Sequence, residues 1–413
     1  MQIDEKVKKL IDKGAAIPQP HAVEIGADVD MARIAGKGVV LYAGTRIHGA
    51  KTLVGPGSKI GYEAPATLVD CRLGRDVELR GGFFKDSLFL DRVSIGSGAQ
   101  VRDGCILEEQ SGGNHAIGLK QTILFPFVTL GSLINFCDCF MAGGTDRKNH
   151  SEVGSSFIHF NFTPNQDKAT PSLLGDVPRG VMLDQPPIFL GGQGGLVGPV
   201  RLGFGIVTAA GTILRRDCLE NNRLLSGVPD NPEERMFGPG VYQGIRRRVV
   251  NNIYYLANLL ALKEWYVHIR HQFFEQQAFG AALAQASSEL LQQATEERLK
   301  RFRELADKMQ CSIAALDKSP DSKAFILEQQ REFMCRWPDL ESCFKSGSEE
   351  RVGVSGRDTF ITGLREAKNK TEQDYLAVIR DLSPDLKNKG TAWLQAIVDH
   401  ITNKAMEVIP SFK

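Results

Sequence analysis

A beat of six constrains this chain more than any other feature. In Phe189 to Leu214, FLGGQGGLVGPVRLGFGIVTAAGTIL, Leu190, Leu196 and Leu202 stand six residues apart and Thr208 keeps the step. Glycine follows the beat at Gly191 and Gly203, and one place later at Gly198. An amphipathic helix needs apolar residues every three or four positions and a half-buried strand every second one, so neither explains this period. A coil with three short flat sides does. Each hexapeptide supplies one strand, its aliphatic fills the prism, and glycine or another small residue allows the corner to turn.

The same beat starts near Val39 and runs through Val54 and Ile60, Leu73 and Leu79, then Ile95, Val101 and Leu107. It predicts a left-handed parallel β-helix over 39–230. Ahead of it, residues 3 to 13 suit a short amphipathic helix carrying Ile3, Val7, Leu10 and Ile11, closed by Gly14, so 1–38 reads as a helical cap and lead-in. The proline- and glycine-rich GVPDNPEERMFGPG ends the coils. Beyond it, Val249, Ile253, Leu256, Leu260 and Val267 mark one long amphipathic helix, and Leu283, Leu290, Leu299, Phe302 and Leu305 mark a second. Further helices are expected around Ala324 to Trp337, Thr359 to Lys368, Thr371 to Asp381 and Ala392 to Val408. The segment 231–413 is therefore an α-helical domain, with a linker near 347–358.

Fifty Lys and Arg oppose 49 Asp and Glu, a balance that argues against a general nucleic-acid or membrane-surface binder. No run of about eighteen apolar residues occurs, and the start, MQIDEKVKKLIDKG, lacks the apolar core of a signal peptide. A cytoplasmic protein is expected. Eight cysteines are scattered without zinc-ribbon spacing. Cys137 and Cys139 form a C-x-C that alternation would place on one face of a coil, where free cysteine is an ordinary small hydrophobe.

The beat weakens between Glu108 and Ile188, in EQSGGNHAIGLKQ, INFCDCFMAGGTDRKNHSEVG and FIHFNFTPNQDKATPSLLGD. These segments hold the His, Asn, Lys and Asp that the regular coils lack, and loops on a rigid scaffold are where chemistry sits. Insertion drift in a tolerant solenoid is the plain alternative.

Read with the repeat, these loops resemble the acetyltransferase half of the bacterial bifunctional enzyme that joins glucosamine-1-phosphate N-acetyltransferase to N-acetylglucosamine-1-phosphate uridylyltransferase. FLGGQGGLVGPVRLGFGIVTAAGTIL is similar to that family's terminal coils, HFNFTPNQDKATPSLLGD to its looped asparagine and lysine segment, NHSEVG to its histidine motif, and LLSGVP to its exit. The resemblance implies His150 as catalytic base, since an amine attacking a thioester must lose a proton near neutral pH. It implies Asn161 and Lys168 on an amino-sugar phosphate, and Ala210 and Ser226 near acetyl-coenzyme A. Prism coils leave side faces that pack around a threefold axis, so a homotrimer is expected, with no resident metal and no tightly bound cofactor. The chain departs from the family at Val153, Phe162 and Gly227, and LFPFVTLGSLINFCDCFMAGG has no counterpart of the arginine and lysine that clamp the sugar phosphate. No glycine-rich phosphate loop precedes the coils, so uridylyl transfer is not expected.

Two other classes stand beside this one. The chain can be a catalytically lapsed sugar-nucleotide binder or trimeric scaffold whose helices recruit a protein partner. Alternatively His115, His150 and His159 can hold zinc between subunits, as in β-helix carbonic anhydrases. Arg246, Arg247 and Arg248 open the first long helix as either a solvated face or a phosphate contact.

Overall fold

The computed structural model describes residues 3–227, 237–318, 324–346, 352–368 and 374–413. Its first half is a three-sided parallel β-solenoid. A first face of ten strands runs from Glu24–Ile25 to Ile213–Leu214, and a second, also of ten, from Val40–Leu41 to Leu224–Leu225. A third face of eight strands runs from Leu53–Val54 to Arg201–Leu202. The sixfold beat maps onto these faces directly. Ile95 fills the second, Val101 the first and Leu107 the third, and each is fully buried.

Successive coils stack like on like, as backbone pairing between parallel strands requires. On the first face the inward column climbs through Ile47, Leu68, Phe84, Val101, Leu119 and Phe136. On the second, Gly113 leaves a gap in the column, and the Ile117 side chain fills it. The ladder reaches closer to the N-terminus than the beat does, because Glu24 and Ile25 already pair with Arg46 and Ile47. Helix α1 (Glu5–Asp12) closes that end, with Val7 and Leu10 on the core and the Lys6 ammonium donating to the carbonyls of Gly26, Ala27 and Val29. Ile11 lies outside the apolar seam.

The weakened stretch is regular inside. Strands Ile117–Lys120, Ile123–Leu124 and Ile134–Cys137 keep the ladder, and the period slips only where insertions leave a corner. Three do so. Residues 142–151 include a two-stranded antiparallel hairpin, Gly144–Asp146 with Asn149–His150, between the third and second faces. Residues 161–171 bridge the first and third faces. Residues 175–188, containing α2 (Val177–Gly180), again bridge third to second.

The remaining helices are α3 (Arg246–Trp265), α4 (His271–Phe274), α5 (Gly280–Leu316), α6 (Ala324–Cys335), α7 (Trp337–Ser346), α8 (Val354–Lys368), α9 (Tyr375–Arg380) and α10 (Pro384–Val408). The expected linker is corrected here: Val354 to Asp358 begin α8, while 347–351 fall outside the described residues. Residues 228–236 of the exit, and Thr371 at the expected start of α9, also fall outside them. Val267 is exposed, against expectation, because Tyr266–Arg270 form a π-helical turn. The wider turn delays the stripe and brings Ile269 and Arg270 inward instead.

The helices cover the third face. There, and not in the strands of the other two, three consecutive residues are buried, as in Ser87–Phe89, Cys105–Leu107 and Cys139–Met141. The outward column of this face is Leu88, Ile106, Ile123, Phe140 and Leu173, and α5 and α3 lie over it. Ion pairs stitch the layers: Arg72 to Asp86 at 2.7 Å and to Glu289 at 3.1 Å, Arg298 to Asp138 at 2.6 Å, and Arg270 to Glu109. Among the described residues no helix is long and apolar enough to cross a membrane.

If the six-step aliphatics fill the prism, Leu107→Ala or Leu196→Ala should cost about 2–5 kcal/mol in denaturant unfolding, while Gln100→Ala, outward on an exposed strand, should stay within about 0.5 kcal/mol. Equal costs at the three positions would contradict the assignment.

Candidate functional site

The five residues singled out in the sequence fall at three different corners of the prism. His150 closes the hairpin between the third and second faces, its backbone opposite Gly144. Ser151 locks the base of that hairpin by donating to the Ala142 carbonyl at 2.9 Å and accepting from the Ile188 amide at 2.8 Å. The ring is half-buried, and Nδ1 is enclosed without a hydrogen bond. No carboxylate orients this imidazole from Nδ1, so its chemistry would have to run through Nε2.

Asn161 and Lys168 share the loop between the first and third faces, and the helical region holds that loop in place. Asp138 sits buried in left-handed backbone at the corner below, φ 57°. One of its oxygens accepts from the Asn161 amide, the other from Arg298 of α5. Arg298 also donates to the Lys168 carbonyl at 3.2 Å. Further along, the Tyr242 hydroxyl donates to Asp167 at 2.9 Å, Lys308 to the Asn165 carbonyl at 2.9 Å, and Asn252 to the Ala169 carbonyl at 3.0 Å. The amide expected to meet a sugar is thus already engaged inside the protein. Arg298 was invisible as a site residue in the sequence, since one arginine within a charged amphipathic helix carries no signal of its own.

Ala210 and Ser226 come together. The Ala209 amide donates to the Leu225 carbonyl at 2.9 Å, which sets both residues, exposed, at the end of the second face where the chain turns to the first. His150 enters that face at its opposite edge, two coils earlier, since Val153 stacks under Leu190 and Leu190 under Thr208. Within one chain His150 and the Ala210 and Ser226 pair therefore stand on opposite edges of a face.

His159 is not a ligand in waiting. It occupies the inward slot after Phe136 and pairs with Leu196 in the next coil. Its Nδ1 lies 2.6 Å from the Cys137 carbonyl, which can only accept, so Nδ1 carries the proton and Nε2 accepts from the Ser172 hydroxyl at 2.7 Å. The same hydroxyl accepts from the Val200 amide at 3.0 Å. Burial pushes this imidazole down to about 4. His115 is exposed, 3.3 Å from Ser97 and 3.5 Å from Glu63, so the three histidines do not converge within the chain. Cys137 and Cys139 do not share a face either, because Asp138 turns the corner between them. Burial raises both thiols. Arg247 donates to the Pro199 carbonyl and Arg248 lies over the Tyr242 ring, so two of the three arginines at the start of α3 dock the helix; Arg246 alone is exposed.

No family model matches the chain. It is 29% identical over 214 residues to the bifunctional protein GlmU of Thermotoga maritima, covering 51% of this chain and 42% of that protein. To the GlmU of Fervidobacterium nodosum it is 26% identical over 221 residues, 54% of this chain and 43% of the relative. The chain thus spans less than half the length of these relatives. Among solved structures, the UDP-N-acetylglucosamine acyltransferase from Campylobacter jejuni matches at 12% identity and a TM-score of 0.16, over 51% of this chain and 69% of that one. The polysialic acid O-acetyltransferase OatWY matches at 13% and 0.17, over 54% and 90%.

Two measurements check this geometry. Arg298→Met strands the buried Asp138 carboxylate and should cost about 3–5 kcal/mol, with faster amide exchange across 161–171; adding Asp138→Asn should recover most of the loss. The His159 site fixes a sign for pH. The unfolded chain takes up a proton near the ordinary value of 6.5, the folded one only near 4. The stability it contributes is complete above 6.5 and drains away as pH falls towards 4. Relative to His159→Leu, the native chain should lose on the order of 3 kcal/mol more across that window, and parallel pH profiles would contradict the assignment.

Proposed function

We propose that the chain is a hexapeptide-repeat acyltransferase of sugar-nucleotide metabolism that moves an acetyl group from acetyl-coenzyme A to an amino-sugar phosphate. The similarity to GlmU over a length comparable with the solenoid supports the reaction class. The single structural observation that carries the reading is the hairpin at 142–151, which sets His150 at a coil edge on an otherwise regular prism. In this reading His150 Nε2 takes the proton of the attacking amine, Asn161 and Lys168 face the acceptor, and Ala210 and Ser226 lie along the donor.

In this reading a second copy completes the acceptor side of the site at His150. The helices close the third face, and the other two carry exposed apolar residues on their outer sides: Phe189, Val207 and Leu224 in one column of the second, Ile158 and Phe160 on the first. Apolar columns in water mark interaction surfaces. Packing the first face of one copy on the second face of the next is a heterologous contact, which closes as a ring, and a homotrimer suits a three-sided prism. The edge bearing His150 then approaches the neighbour's edge between its first and third faces, which bears Asn161 and Lys168, while the edges bearing Ala210 and Ser226 meet one another.

Two observations favour a second reading, a lapsed enzyme kept as a sugar-nucleotide binder or scaffold. The Asn161 amide is spent on Asp138, and no arginine or lysine stands in the strands where the family clamps a sugar phosphate. The zinc reading loses one of its three ligands to the core at His159.

Acetyl-coenzyme A offered with a series of amino-sugar phosphates, followed by thiol release, separates these readings. His150→Ala should lower turnover by about 100-fold or more while unfolding as the native chain does. Turnover unchanged in that variant would remove the mechanism, and failure to bind acetyl-coenzyme A would leave the scaffold.

A further inference from the structure

A cleft of about 500 Å³ opens where the tip of the His150 hairpin faces α9, and Arg92, Asp146, Arg147, Lys148, Asp374 and Arg380 line it. Solenoid and helical region each supply part of the wall, so the cleft exists only because this chain carries both. Four cations stand against two carboxylates, and both carboxylates are occupied. Asp146 accepts from the amides of Lys148 and Asn149 at 2.7 and 3.2 Å and from the Thr145 hydroxyl at 3.0 Å, holding the hairpin turn. Asp374 caps α9 through the Leu376 amide at 2.9 Å and pairs with Arg92 at 3.0 Å.

The other cations are not neutralised. Arg147 is pinned by neutral oxygens: the carbonyls of Gln110 and Phe127, both at 3.0 Å, and the Thr129 hydroxyl at 2.9 Å. Lys148 and Arg380 are exposed and make no ion pair among the described residues. The Asp146 carboxyl is held low, first by the Lys148 amide and the Thr145 hydroxyl, with Arg380 contributing from across the cleft. Like charges converge here from two separate elements, which costs stability unless an anion settles between them.

We propose that this cleft binds a small phosphate-bearing anion, a phosphomonoester or diphosphate, between the hairpin and α9. The surplus of two positive charges matches a phosphate group, which carries about 1.5 to 2 negative charges at neutral pH, better than a carboxylate with one. Guanidinium groups offer paired N–H donors suited to phosphate oxygens, and a fixed Arg147 is already oriented for them. The volume lies in the range of small-ligand pockets, roughly 300–1,000 Å³, and leaves room for an organic substituent beyond the phosphate. The site stands apart from the acceptor loop and from the Ala210 and Ser226 edge, and it is independent of whether acetyl transfer occurs.

Calorimetric titration of the full chain with inorganic pyrophosphate tests this, with acetate at matched ionic strength as the control anion. Saturable binding at one site per chain is expected for pyrophosphate and none for acetate. The double variant Lys148→Ala, Arg380→Ala should weaken it by at least about tenfold, because charge-assisted contacts are lost without touching any internal bond. The double variant Arg215→Ala, Arg216→Ala removes the same charge from exposed positions elsewhere and should bind as the native chain does. Absence of saturable binding, affinity unchanged in the first variant, or equal losses in both variants would overturn the proposal.

Discussion

A parallel ladder with apolar side chains on both of its faces is stable only under cover, and the third face of this prism is such a ladder. Its inner column fills the solenoid while its outer column, Leu88 through Leu173, must be sealed by something else. The chain supplies the seal itself, with α3 and α5. Sealing an apolar sheet with amphipathic helices would ordinarily need no charge, yet Arg270 and Arg298 reach through the layer to Glu109 and Asp138 at coil corners. Desolvating such pairs costs about as much as their attraction returns, so they add little net stability. What they fix is position: a helix bearing Arg298 can lie in only one register over Asp138.

That register reaches the candidate site. The loop holding Asn161 and Lys168 is latched from the helical side by Arg298, Tyr242, Asn252 and Lys308. The helical region, which carries no catalytic signature in its sequence, thereby decides the shape of the polar loop, and at α9 it completes a cationic cleft against the His150 hairpin. The helices shape the candidate site as well as cover the prism.

The prism was legible because each aliphatic of the six-step beat has one slot. Ile95, Val101 and Leu107 go to three faces in turn, an interval that fits neither a helix nor a lone strand. Cover on the third face was not legible, because the doubled apolar residues of its strands, such as Ile106–Leu107, have counterparts on the open faces in Phe189–Leu190 and Leu224–Leu225. Other features were not legible either. His159 stood among the possible zinc ligands because a polar residue breaks the aliphatic column, and only the carbonyl and hydroxyl at its two nitrogens make it a core residue. Val267 was misplaced because a π-helical turn leaves no mark in a period of 3.6. The spread of the site residues over three corners depends on insertion lengths at each corner, which sequence motifs do not measure.

With the third face closed, the two open faces and their exposed apolar columns are where the proposed copies would meet, His150 of one beside the Asn161 and Lys168 corner of the next. Sedimentation equilibrium of the native chain beside Val207→Asp tests this most directly. The account predicts a three-chain mass for the native protein and a single-chain mass for the variant, whose new charge sits in the exposed column between Phe189 and Leu224. A single-chain mass for the native protein, or a three-chain mass that survives the substitution, would contradict it.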